Sequence, residues 1–65
     1  MKISYYKDTD TLYLEFKDTS IEETKELDEN TYLELDAQGN LVAITLEHAS
    51  SRADLNQVYL SGIAA

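Results

Sequence analysis

His48, Ser50 and Ser51 stand within four positions of one another, and Glu34 and Glu47 are two of 13 acidic side chains in a chain of 65 residues. An imidazole beside a hydroxyl is the raw material of nucleophilic catalysis. Two opposed carboxylates are that of glycoside hydrolysis. The surrounding pattern supports neither chemistry. So many acids produce pairs by chance, and a chain of this length rarely encloses a substrate. Ser50 and Ser51 read better as the connection from a strand into a helix. There is no glycine-rich phosphate loop and no nucleophile motif. The expectation is a non-enzyme with no catalytic residue.

Metal chemistry fares no better. Asp28, Glu29, Glu34 and Asp36, in "DENTYLELD", are hard oxygen donors of the kind calcium takes. Their spacing is not that of a D-x-D-x-D-G loop. The chain has no Cys and a single His, which removes thiolate sites and makes zinc a poor match. No metal and no cofactor is expected.

The remaining chemistry is recognition. Tyr6, Tyr13 and Tyr32 fall at strand positions opposite the apolar ones, and Glu15 and Glu34 share that parity. Tyrosine is favoured in strands and enriched at interfaces. Two readings stand side by side: ordinary cross-strand packing on a solvated face, or a face that docks another molecule. The net charge of −8, from 13 acidic against 5 basic side chains, bears on the partner. Nucleic acid and anionic lipid would be repelled. A basic protein would be attracted, above all to the acidic belt over residues 15–36. A second copy of the chain is the other candidate, because a domain of this size buries only about 60% of its unfolded surface and gains from a partner.

Strands must position these residues. Residues 2–7 and 11–17 alternate, with Ile3 and Tyr5 on one side and Leu12, Leu14 and Phe16 on one side. A four-residue loop, Lys7–Asp10, sets Ile3 and Tyr5 opposite Leu14 and Leu12. Residues 22–27 read as a charged edge strand in preference to a capped helical turn. Residues 31–36 and 41–47 alternate again, with Leu33 and Leu35 matched to Val42, Ile44 and Leu46. Asp36 and Gly39 suit the first and fourth places of a type I turn. A three-residue loop with a glycine bulge would pair Leu35 with Leu41. The four-residue loop Ala37–Asn40 would pair Leu33 with Ile44, and is preferred because it gathers the large apolar side chains.

The last stretch changes character. Ser51 and Asp54 resemble a capping box, and Leu55, Val58 and Tyr59 follow helical spacing up to Gly62. A helix over about 51–61 is expected, with an extended segment as the competitor. The predicted fold is one α+β domain, residues 1–65. It is an antiparallel β-meander of four to five strands over 1–48, with a short C-terminal helix in 50–65 packed on one face. The expected core is Ile3, Tyr5, Leu12, Leu14, Phe16, Leu33, Leu35, Val42, Ile44, Leu46, Leu55 and Val58.

"YYKDTDTLYLEF" followed by "YLELDAQGNLVAITLEHAS" resembles the small bacterial proteins grouped as domain of unknown function 2283. The matching pieces are the N-terminal Tyr, Asp10 before Leu12-Tyr13-Leu14, then Asp36, Gly39, Leu41–Leu46 and Ala49-Ser50. The chain departs from the family pattern at Ala43, usually Gly, and at Thr45, often Glu. The resemblance implies an antitoxin-like role; it implies no activity.

No signal-peptide core is visible, and no apolar run approaches the roughly 18 residues of a membrane span. A cytoplasmic protein is expected. Its expected function is a small acidic module that docks a basic partner protein. The alternative is a homo-oligomer joined through the Tyr-rich sheet face. The expected interface residues are Tyr6, Tyr13, Tyr32, Glu15 and Glu34.

Overall fold

Runs that alternate apolar and polar residues at period two gather their apolar side chains on one side only as strands, and five segments of the chain form strands. The computed structural model describes residues 1–52. It contains β1 (Lys2–Tyr6), β2 (Thr11–Glu15), β3 (Glu23–Asp28), β4 (Thr31–Leu35) and β5 (Leu41–Glu47), followed by a 3-10 turn at Ala49–Ser51. All neighbours pair antiparallel in one sheet of order β1-β2-β5-β4-β3.

That order corrects the expected meander. β2 lies beside β5, not β3, so two units meet: the hairpin β1-β2 and the three-stranded β3-β4-β5. The physical reason lies in composition. β5 holds Val42 and Ala43, two of the buried apolar residues, and a central place gives it neighbours on both sides. β3 is exposed at every position, and its charges suit it to an edge. The edge strand expected at 22–27 is therefore present at Glu23–Asp28.

The chain crosses from β2 to the far edge over residues 16–22, and that crossing is anchored along its length. The Phe16 N–H donates to the Val42 carbonyl (2.8 Å) and the Glu22 N–H to the Leu35 carbonyl (2.8 Å). Between them Lys17 Nζ donates to Asp36 Oδ2 at 2.6 Å.

The β1-β2 hairpin has the expected register, with Ile3 opposite Leu14, Tyr5 opposite Leu12, and Lys7–Asp10 as the loop. The β4-β5 hairpin uses both registers that the residues allow. Leu33 pairs with Ile44, yet Leu35 pairs with Leu41, and the register shifts between Glu34 and Leu35. At the turn, Asp36 N–H donates to the Asn40 carbonyl and Gly39 N–H to the Asp36 carbonyl. The turn therefore takes the shorter loop, and the extra residue Val42 restores the longer loop's pairing beyond it. A bulge of this kind resets strand parity by one. The preference for Ala37–Asn40 as a simple loop is corrected to that extent.

Gly39 has φ +82°, and a Cβ built there would meet no atom within 4 Å. The cost of a side chain is then purely that of the left-handed backbone. We expect Gly39→Ala to lower unfolding free energy by about 1 kcal/mol and Gly39→Asn by less. Urea denaturation measures both.

The core is smaller than expected. Leu12, Val42, Ala43 and Ala49 are the buried apolar residues among those described, while Ile3, Tyr5 and Phe16 are exposed. Ile3 and Tyr5 have the right parity but lie on an edge strand, with a neighbour on one side only. Leu14, Leu33, Leu35, Ile44 and Leu46 are half-buried. Within the described residues the fold is all-β apart from the 3-10 turn. The helix expected over 51–61, and Leu55 and Val58 with it, lie outside the described residues except at Ser51 and Arg52, where the 3-10 turn ends.

Candidate functional site

Directly paired residues of an antiparallel sheet point to the same side, so the registers sort every paired residue, Leu27 and Val42 standing at the two shifts without a partner. One side carries Ile3, Tyr5, Leu12, Leu14, Ile44, Leu46 and Leu33. The opposite side is built of three rows. Lys2, Glu15, Ala43, Glu34 and Thr24 form the first. Ser4, Tyr13, Thr45, Tyr32 and Glu26 form the second, and Tyr6, Thr11 and Glu47 the third.

All five expected interface residues, Tyr6, Tyr13, Tyr32, Glu15 and Glu34, thus lie on one face. Glu26, Glu47 and Thr45 join them. They follow from the same parity once β5 is known to sit between Tyr13 and Tyr32.

The face is a field of phenols among carboxylates. Tyr13 donates its hydroxyl to Glu34 Oε2 at 3.2 Å, and Thr45 Oγ1 donates to Glu34 Oε1 at 3.4 Å. Burial, then the charges of Glu34 and Glu15, raise the Tyr13 phenol above its ordinary pKa. The Glu47 charge, with burial and Glu26, raises that of Tyr32. Both phenols are held neutral, as donors, while the carboxylates supply negative charge. A ring beside a carboxylate suits a guanidinium or ammonium, which stacks on the one and pairs with the other.

The ends of the sheet hold different polar clusters. Asp10, at φ 54°, accepts from the Tyr5 hydroxyl and the Ser50 N–H (3.0 Å) through Oδ1, and from the Ser50 hydroxyl (2.7 Å) through Oδ2. Its carbonyl also receives the Ala49 N–H at 2.9 Å. The Tyr5 bond, then those from Ser50, hold its carboxyl below the ordinary range. Arg52 bonds the Asn30 carbonyl (2.7 Å), the Glu47 carbonyl (3.1 Å) and Thr31 Oγ1 (2.6 Å). These contacts tie the 3-10 turn to the loops at that end. In the sequence Asp10 was visible only as the end of the Lys7–Asp10 loop and as part of the family motif. The signal for its role is an Asp immediately before a strand, where the left-handed region tolerates it.

His48 is exposed, with φ 55°. Ser50 gives its hydroxyl to Asp10 rather than to an imidazole, so the arrangement is a turn clasp, not an activated nucleophile. The four oxygen donors of "DENTYLELD" are dispersed. Asp28 caps the β3-β4 turn through the Asn30 N–H (2.8 Å). Glu34 faces Tyr13, and Asp36 closes its own loop through Gln38 N–H (3.0 Å) and Asn40 N–H (2.9 Å). Among the described residues no group of three or more His, Cys, Asp or Glu is placed to hold a metal ion. Nor is any helix among them long and apolar enough to cross a membrane.

One antiparallel sheet, apolar on one side and tyrosine-acidic on the other, defines a small β-sheet domain. The model of the family described as "Protein of unknown function (DUF2283)" matches residues 2–50, and the chain belongs to that family. No match is found among curated proteins or among solved structures.

Proposed function

We propose that this protein is a small acidic docking module of the cytoplasm, without enzymatic activity, whose tyrosine-carboxylate face receives a basic protein partner in an antitoxin-like pairing. The row Tyr13–Thr45–Tyr32, flanked by Glu15, Glu34, Glu26 and Glu47, carries this reading. The paired rows of the face contain four carboxylates against one lysine, Lys2. Such a face speeds encounter with a basic surface and rejects acidic ones. Self-association through it is disfavoured, because a second copy would present the same four carboxylates.

The test is affinity purification from the native host, followed by titration of whatever Lys/Arg-rich protein is retained. Glu34→Lys combined with Glu47→Lys should weaken that complex at least tenfold, and raising salt should weaken the wild-type complex. Retention unaffected by both would remove this face from the interaction.

A further inference from the structure

The sheet has two edges, and they are not equivalent. β3 is defended in the ways natural edges usually are. It and its flanks hold Glu22, Glu23, Glu26, Asp28 and Glu29 against Lys25, and its register is broken between Glu26 and Asp28. β1 has no register break and no acid, and its charges are lysines alone. Residues 1–7, "MKISYYK", contain no carboxylate and two lysines in a chain whose net charge is −8. The β1-β2 register runs without a shift from Lys2 to Tyr6. Met1, Ile3, Tyr5 and Tyr6 make up half of the eight exposed large apolar residues among those described.

We propose that β1 is a strand-addition edge, and that its occupant is β1 of a second copy, joined antiparallel about a two-fold axis at Ser4. Charge selects this occupant. Two chains of −8 repel almost everywhere, and β1 is the strand at which they meet without an acid on either side. The two-fold register then follows by counting from the middle of the strand. Ser4 faces the second copy's Ser4, Ile3 faces its Tyr5, and Lys2 faces its Tyr6. The Ile3–Tyr5 contacts extend the apolar side of the sheet across the seam. The Lys2–Tyr6 contacts set an ammonium beside an aromatic ring on the other side. The assembly closes as a dimer, because the same patch serves both copies. Of the tyrosine-carboxylate face it takes up only Lys2 and Tyr6, and it leaves Tyr13, Thr45, Tyr32 and the four carboxylates free, so it does not depend on the function proposed for them.

Ser4→Cys tests the axis directly. The chain has no cysteine of its own, and directly opposed strand residues stand close enough for a disulfide. Mild oxidation should give a covalent dimer at least tenfold faster for Ser4→Cys than for Leu27→Cys on the opposite edge. Equal rates would overturn the proposal. Sedimentation supplies a second measurement. The wild type should run at twice the monomer mass at high micromolar concentration. Ser4→Glu and Ser4→Lys, each checked as folded by circular dichroism, should run as monomers, and their equimolar mixture should regain the dimer. A wild type that stays monomeric, a Ser4→Glu variant that stays dimeric, or mass growing past the dimer would each overturn it. The last outcome would place β1 on the β3 edge instead.

Discussion

Leu12→Ala should strip away a large share of the protein's stability, about 2–5 kcal/mol. Leu12 is 7% exposed and is the largest of the four buried apolar residues among those described. It sits between Tyr5 of β1 and Leu46 of β5, so its side chain joins the hairpin to the three-stranded unit. Truncating a buried leucine costs about 2–5 kcal/mol, through lost transfer energy and the cavity left behind. Stability at about 0.05–0.15 kcal/mol per residue amounts to roughly 3–10 kcal/mol for a chain of this length. One substitution thus takes a large share of the total or all of it. Leu27→Ala is the matched control: Leu27 is 67% exposed on the β3 edge and should change stability by less than about 0.5 kcal/mol. Thermal melts followed by circular dichroism would decide. A Leu12→Ala melt matching that of Leu27→Ala would mean that the two units are not held together through this row.

The burial of Leu12 and its pairing with Tyr5 were legible; its other neighbour, Leu46 of β5, was not. Alternation tells each residue which side to face, and it did so for Leu12, Leu14, Leu33, Ile44 and Leu46. It is silent on which strands lie side by side. A meander and the observed order β1-β2-β5-β4-β3 put the same side chains on the same faces. The order is decided by how much each strand loses at an edge, and that depends on all five at once. Exposure follows the order, which is why Ile3 and Tyr5 alternate like core residues yet remain open.

The hairpin at Asp36–Asn40 shows the same division. Its turn chemistry was readable from Asp36 and Gly39. The bulge at Val42 was not, because it answers to contacts outside the hairpin: the Val42 carbonyl receives the Phe16 N–H from the crossing segment. The tyrosine-carboxylate face was legible for the opposite reason. Parity alone fixes it, and any order that keeps the parity gathers Tyr6, Tyr13, Tyr32, Glu15 and Glu34. Glu26 and Glu47 were missed because their membership needs the partners of β3 and β5.

Acid should unlock the loops while leaving the strands' apolar contacts intact. Asp10, Asp28 and Asp36 each hold a loop or turn, and each ionises more readily in the folded protein than its ordinary value of 3.8. The leading cause differs: the Tyr5 hydroxyl for Asp10, the Asn30 N–H for Asp28, Lys17 for Asp36. A carboxyl whose folded pKa is lowered binds fewer protons folded than unfolded. Its contribution is therefore complete above the unfolded value and drains away as pH falls through the folded one. The wild-type melting temperature should hold steady from pH 7 to about 5 and fall as the pH drops below the ordinary carboxylate range. A second effect runs the other way, since protonating the many exposed acids relieves self-repulsion as the pH approaches the sequence pI of about 4.2. The Asp10→Asn, Asp36→Asn double variant separates the two. Asparagine tolerates the left-handed backbone at position 10 but cannot titrate, so this variant reports the general repulsion together with Asp28. It should be less stable than the wild type at pH 7, and the gap should close as both approach pH 2. Melting temperatures that stay a constant distance apart across that range would mean that neither carboxylate latches its loop.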